Sequence, residues 1–239
     1  MNERTAFVEE TRFGVWFLGT KTWHVYVLQR ALNDLQRLQG QLSEPIVSVL
    51  DIGFGHGKTL VELAKRFQAT HLVGIDADPA AKSRALKTLH TAGVSAELTT
   101  ANAATTGLPD NHFDLVFCHQ TLHHIVAQEA ALAEMYRVLK PGGQLLLAES
   151  TKKYIHSLPI RLLFRHPMHV QKTADEYLAL VRQAGFTVQP EQISYPYLWW
   201  SRTDIGFFEW LGFKPKPGHE ETLINLVAVK PKQRTAIGS

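Results

Sequence analysis

The sequence predicts a doubly wound α/β domain with seven strands in a mainly parallel sheet. Short apolar strands alternate with amphipathic helices along most of the chain, the arrangement of a sheet covered by helices on both faces. A glycine-rich turn, Asp51-Ile52-Gly53-Phe54-Gly55-His56-Gly57, follows the first strand and precedes a helix. An acid, Asp76, ends the second strand 25 residues after Asp51.

The elements follow in order. Trp23, Val27, Leu28, Ala31, Leu32, Leu35 and Leu38 recur at helical spacing, and Gly40 suits the helix's C-terminal end. Ile46 to Leu50 is a first strand and Thr59 to Phe67 a helix; His71 to Asp76 is a second strand and Pro79 to Thr91 a helix. Strands are expected at Ala96 to Thr100 and Phe113 to Cys118, with a helix from Ala127 to Leu139. Lys140-Pro141-Gly142-Gly143 reads as a break before a fifth strand, Gln144 to Ala148. A helix over Asp175 to Ala184 stops at Gly185, and strands over Phe186 to Ile193 and Thr222 to Val229 complete the set. No helical pattern separates the last two strands, so they are expected to pair antiparallel at one edge.

The expected organisation is an N-terminal helical extension or lid over residues 1–43, a main domain over 44–230 and a tail over 231–239. Two long connections, 151–172 and 194–221, are expected to be caps, because connections of that length in a compact domain usually serve a site. The chain has 239 residues, 45% of them hydrophobic, ample for a full core, and its composition excludes fibrous or disordered classes. A net charge of +3 does not argue for nucleic acid. One cysteine, Cys118, allows no internal disulfide. The acidic start does not read as a signal peptide, and no apolar run is long enough to span a membrane. A cytoplasmic protein is expected.

Glycines let the chain turn tightly beside a ligand, and the helix that follows presents unpaired N–H groups to it. Three alternating glycines behind a strand-ending acid exceed what an ordinary strand-to-helix turn needs. The dinucleotide fingerprint requires a third Gly where this chain has Lys58. Asp76 stands at the carboxyl edge of the sheet, where a carboxylate can accept both hydroxyls of a ribose. Asp78, followed by Pro79, reads instead as a helix N-cap.

VLDIGFGHG, GIDADP, LPDNHFDLVF, LHHI, EMYRVLKPGGQLLLAE and LVAVKP, in this order and spacing, resemble the class I S-adenosylmethionine-dependent methyltransferases. The likeness is to the small-molecule branch similar to ubiquinone/menaquinone-biosynthesis methyltransferases, and covers residues 44–150 closely and 173–193 loosely. It implies the Rossmann-like methyltransferase fold, with S-adenosyl-L-methionine as cofactor and S-adenosyl-L-homocysteine as product. It further implies that Asp51, Gly53 and Gly55 border the methionine moiety, that Asp76 holds the ribose and that Ala77 lies beside the adenine. Where the family often has Asp-Ala after the third strand this chain has Asn102-Ala103, which keeps an acceptor oxygen for the adenine amino group and loses the charge. His119 would lie near the sulfonium.

His123 and His124 are the candidates for a catalytic base or acceptor-orienting group, since imidazole titrates near neutral pH; the alternative is that one or both only satisfy backbone groups. A metal held by His119 and His123 lacks a nearby third ligand, and the resembled family does not generally use one, so no metal is expected. Residues 150–174 contain no acid and carry Lys152, Lys153, Arg161, Arg165 and Lys172 among apolar residues. They read either as a solvated surface or as a lid facing an anionic acceptor or a membrane surface. Tyr195, Tyr197, Trp199, Trp200, Phe207, Phe208 and Trp210 would supply an aromatic wall for the acceptor, the alternative being core packing. Nucleic-acid methylation is not expected: Cys118-His119-Gln120-Thr121 stands where amino-group enzymes of that kind carry an Asn/Asp-Pro-Pro-aromatic motif.

The expected activity is in-line transfer of the sulfonium methyl to a small-molecule acceptor, anionic or aromatic and hydrophobic in character. An NAD(P)-dependent oxidoreductase and a non-catalytic S-adenosylmethionine-binding protein are the alternatives. The acceptor, the atom attacked and the oligomeric state are left open.

Overall fold

A computed structural model describes residues 8, 10–42, 44–196, 211–213 and 222–232 of the chain. Seven strands lie in the order β3-β2-β1-β4-β5-β7-β6: β1 (Ser48–Ile52), β2 (His71–Asp76), β3 (Glu97–Thr100), β4 (Phe113–His119), β5 (Leu139–Ser150), β6 (Ile193–Ser194) and β7 (Leu223–Val229). Strands β1 to β5 pair in parallel, while β7 runs antiparallel to both β5 and β6. Strand order reverses between β1 and β4, and their carboxyl ends define the crevice where open α/β sheets hold ligands.

Alternate strand residues feed two cores. Leu50, Ile52, Val116, Cys118, Leu145 and Leu147 face one side, under helices α6 (Gln128–Val138) and α9 (Ala174–Gln183). Val49, Leu115, Phe117, Leu146 and Ala148 face the other, under α3 (Gln29–Gln39), α4 (Lys58–Phe67) and α5 (Pro79–Ala92). Leu28, Leu32 and Leu35 are fully buried, so the second half of the N-terminal segment is a layer of the core. Its first half, α1 (Arg12–Leu18) and the short α2 (Lys21–Trp23), runs across the mouth of the sheet. A π-helical turn, His24–Leu28, links α2 to α3. Such turns recur at functional sites, and this one follows the cleft residue Trp23.

Three sequence expectations are corrected. The first strand is shifted two residues and includes Asp51 and Ile52. Lys140-Pro141-Gly142-Gly143 lies within β5 as a bulge. Gly142 takes φ 85°, its N–H donates to Lys230 O at 2.8 Å, and Lys140 Nζ meets Asp114 Oδ1 at 2.6 Å, so the extra residues stay bonded to the sheet. The strand expected over Phe186 to Ile193 is broken: Pro190 has no N–H for a ladder and starts a 3₁₀ turn to Gln192. Only a bridge from Thr187 to Val229 and the two-residue β6 remain of it.

The 151–172 connection folds as α7 (Lys152–Ile155), α8 (Leu158–Leu163) and a 3₁₀ turn, Met168–Val170. It packs on α1 through an aromatic cluster, with Phe164 edge-on to Phe13 at 5.6 Å and to Phe17 at 5.9 Å. Thr11 Oγ1 also donates to Leu163 O at 2.6 Å. In the second connection, Tyr197, Trp199, Trp200, Phe207, Phe208 and Trp210 lie outside the described residues, as does the tail beyond residue 232. Among the described residues no helix is long and apolar enough to cross a membrane.

Candidate active site

The glycine-rich turn needs its glycines for two different reasons. Gly53 has φ 81°, and a Cβ there would meet Thr121 Oγ1 at 2.3 Å, so the turn and the loop after β4 approach more closely than any side chain permits. Gly57 has φ 75°, and a Cβ there would press at 3.0 Å on Ala85 of α5. The turn delivers the chain to the N-terminus of α4 at the crevice. Lys58, where a dinucleotide fold would have its third Gly, reaches back: its Nζ donates to Thr20 O at 2.9 Å and to Gly19 O, tying the N-terminal helices to the turn. His56 Nε2 binds Val15 O at 2.9 Å on the same helices.

Around this turn lies a cavity of about 280 Å³, near the lower end of small-molecule sites (~300–1,000 Å³). Gly53, Gly55, Asp76, Ala77, Asn102, Ala103, His119 and His124 all line it, so all but two of the sequence-derived site residues meet in one cleft. The exceptions are Asp51 and His123, which do not line this cavity. Asp76 accepts from Gly55 N at 2.8 Å through Oδ2 and from Asp78 N at 2.9 Å through Oδ1, so each oxygen keeps acceptor capacity for a further hydroxyl. Burial raises its pKa above the usual carboxylate range. Asp78 is the N-cap of α5, accepting from Ala80 N at 2.8 Å, and pairs with Arg84. The oxygen of Asn102 accepts from Ala104 N at 2.9 Å, which fixes its loop.

Asp51 lies behind the turn, 1% exposed, with Oδ2 accepting from the Thr59 hydroxyl and Oδ1 lacking any hydrogen-bond partner. Burial pushes its carboxyl up to about 7, aided by the neighbouring charge of Asp76. The stability consequence has a definite sign. The unfolded carboxyl ionises near pH 4 and the folded one only near pH 7, so the folded state loses stability as pH rises through that window. Asp51→Asn keeps an acceptor for Thr59 and removes the charge. It is expected to flatten the pH dependence and to gain up to a few kcal/mol on the parent chain at pH 8 relative to pH 5. Urea unfolding of both proteins at the two pH values measures this, and parallel pH profiles would contradict the buried-carboxyl assignment.

His119 ends β4 rather than following it, stacked on Phe117 at 5.8 Å and edge-on to Trp23 at 5.5 Å. Burial lowers its pKa to about 3, so it is a neutral imidazole, and its Nδ1 has no partner. His123 and His124 sit on a 3₁₀ turn, Leu122–His124. His123 is 3% exposed, with Nδ1 at 2.6 Å from Glu149 Oε2. Glu149, fully buried at the end of β5, also accepts from Thr121 N at 2.9 Å and Leu122 N at 2.7 Å, so one carboxylate sets the whole loop. Sequence reasoning missed it; the available signal was a lone acid at the end of an apolar strand. Gln120 was missed too: it holds a left-handed φ of 51° at the crevice, a conformation a non-glycine residue seldom adopts.

A second chamber of about 90 Å³ adjoins the first and shares Glu10, Leu18, Trp23, Gln120 and His124 with it. Its walls come from the two segments expected to be lids, Phe17 and Val27 on one side and Tyr154, Ile160 and Phe164 on the other. His124 belongs to both chambers, while His123 borders only the second. Burial holds His124 well below the normal imidazole range, with the neighbouring His123 and His166 adding to the effect. The third imidazole that local sequence did not offer is His166, carried by the 151–172 connection.

Residues 50–147 match a family model described as a methyltransferase domain. The chain is 30% identical over 155 residues to the ubiquinone/menaquinone biosynthesis C-methyltransferase UbiE of Salmonella arizonae, a match covering 61% of each protein. It is 34% identical over 106 residues to phosphoethanolamine N-methyltransferase 1 of Arabidopsis thaliana, covering 44% of this chain and 21% of that one. The chain thus spans less than two thirds of the length of the curated relatives it matches. A SAM-dependent methyltransferase of Aquifex aeolicus superposes with a TM-score of 0.64 at 18% identity over 91% of this chain and 97% of that one, a likeness of fold.

Proposed function

We propose, from the premise that residues 50–147 are a methyltransferase domain of the class I S-adenosylmethionine-dependent family, that the chain transfers a methyl group to a small-molecule acceptor. The observation that carries this is the two-chamber cleft. One chamber is bordered by the glycine turn and a ribose-type carboxylate, the other is walled by aromatic and aliphatic side chains, and both open on His124. The residues suit S-adenosylmethionine: Asp76 lines the cavity with acceptor capacity for two hydroxyls, and Gly53 and Gly55 leave the turn beside it free of side chains. When bound, the cofactor supplies an electrophilic methyl on a positive sulfonium and leaves as neutral S-adenosylhomocysteine.

The protein's part is binding, alignment and exclusion of water. Asp76 takes the ribose hydroxyls, Gly53 and Gly55 keep the turn open to the methionine part, and Asn102 and Ala103 flank the adenine. His119, uncharged and packed against Trp23, borders the sulfonium without opposing its charge. Trp23 lines both chambers, and Phe17 and Phe164 line the second. The acceptor is a compact, partly apolar molecule with one polar nucleophile directed at His124.

Calorimetry with S-adenosylmethionine, S-adenosylhomocysteine, NAD⁺ and NADP⁺ tests the cofactor, and isotope-labelled methyl transfer to quinol, phenol and amino-alcohol acceptors tests the reaction. Binding of the first pair alone, with label appearing in one acceptor class, is the expected result. Tight binding of a nicotinamide dinucleotide would overturn the reading.

A further inference from the structure

Where the two chambers meet, three imidazoles converge. His123 and His124 come from the turn after β4 and His166 from the residues after α8, and one ring nitrogen of each lies within 4.8 Å of the others. Their ring centroids stand 4.3, 5.1 and 4.7 Å apart. Nδ1 of His166 is buried with no hydrogen-bond partner. Nδ1 of His123 is held by Glu149, which leaves Nε2 as its ligating atom and places a carboxylate behind the imidazole, the arrangement that orients metal-binding histidines. A fourth donor is at hand: Glu10 Oε2 lies 3.9 Å from His124 Nε2, while its Oε1 is fixed by the backbone N–H of Arg165 at 2.9 Å.

Packing alone explains this trio poorly. Apolar rings would fill the space without burying a nitrogen that lacks a partner, as Nδ1 of His166 does. We propose that His123, His124 and His166 bind one divalent first-row transition-metal ion, with Glu10 beside it as a fourth ligand. Imidazole nitrogen selects ions of the zinc or iron(II) type over magnesium and calcium, which take oxygen ligands. Ligands around such an ion at ~2 Å stand ~3.3 Å from one another, so side-chain rotations of about an ångström close the site. The ion would join the loop after β4 to the cap and the N-terminal segment on the wall of the smaller chamber.

This proposal rests on side-chain geometry and not on the methyl-transfer reading, and its test needs neither cofactor nor acceptor. The chelator-treated full chain is titrated with Co²⁺, read by its visible absorption, and with Zn²⁺, read by calorimetry. One ion per chain is expected, with Zn²⁺ displacing Co²⁺ and excess Mg²⁺ having no effect. His166→Ala and His124→Ala should each weaken binding at least ~10-fold, and Glu149→Gln, which acts through His123, by ~10-fold or more. His90→Ala, on the exposed face of α5, should leave it unchanged. His166→Gln provides the second variant if His166→Ala melts differently from the parent. Absence of stoichiometric binding, or undiminished binding in a folded His166 variant, would overturn the proposal.

Discussion

Asp76→Ala is expected to weaken S-adenosylmethionine binding by at least ~10-fold while the protein keeps its fold. A hydrogen bond to a charged group contributes roughly 1.5–3 kcal/mol, and Asp76 is positioned to accept two from a ribose. Stability should change little, because two effects oppose each other. The substitution leaves Gly55 N and Asp78 N without their acceptor, and it also removes a carboxylate whose burial is unfavourable, as its raised pKa records. Asp76→Asn separates the contributions, since it keeps one oxygen and loses the charge; its loss of affinity should fall between those of the parent and the alanine variant. Calorimetry with S-adenosylhomocysteine, which lacks the sulfonium charge, should show a similar loss, because the ribose is common to both ligands. Unchanged affinity in the alanine variant would remove Asp76 from the ribose site.

The strands and the turn were legible because their causes are local. An apolar run from His71, stopped by Asp76 and followed by an N-cap with Pro79, leaves little freedom, and β2 has the bounds read from the sequence. Gly53 and Asp76 share the cleft because the strand ends and the turn between them converge there, whereas Asn102 was expected only through the family resemblance. What escaped depends on tertiary contact, except at 186–193, where the cause is local. Lys140-Pro141-Gly142-Gly143 looks like a stop until the Lys230 backbone pairs with it across the sheet. The 186–193 segment has strand composition, yet Pro190 and the capping pair of Gln189 and Gln192 favour a turn there. His166 stands 42 residues from His124, and nothing local in either segment announces that α8 returns the chain to the same cavity. Glu149 was hidden for the same reason: three of the four bonds it accepts come from the loop 26 to 28 residues before it, and the fourth from Cys118.

The structure also separates the two candidate histidines, and the second large effect follows from that. His124→Ala is expected to slow single-turnover methyl transfer by ~10²–10⁴-fold with cofactor affinity nearly unchanged. His124 borders both chambers and so stands where cofactor and acceptor meet. With no metal ion on it, the imidazole, its pKa held low, offers its lone pair to an acceptor hydroxyl before transfer. An ion bound at His124 would occupy that lone pair, so metal binding and proton acceptance exclude each other. The imidazolium formed as the proton arrives would have the Glu10 carboxylate 3.9 Å away, which stabilises the charge as it develops. Glu10→Gln should therefore lower the rate by a smaller factor than His124→Ala. His123→Ala should act differently. Its ring is locked to Glu149, so truncation leaves a fully buried carboxylate without one of its partners, and the main result should be a lower melting temperature. Rapid-quench assays and thermal melts on the three variants distinguish these outcomes. A parent-like transfer rate in His124→Ala would move the proton acceptor elsewhere in the second chamber, where Tyr154 is the next group able to take that part.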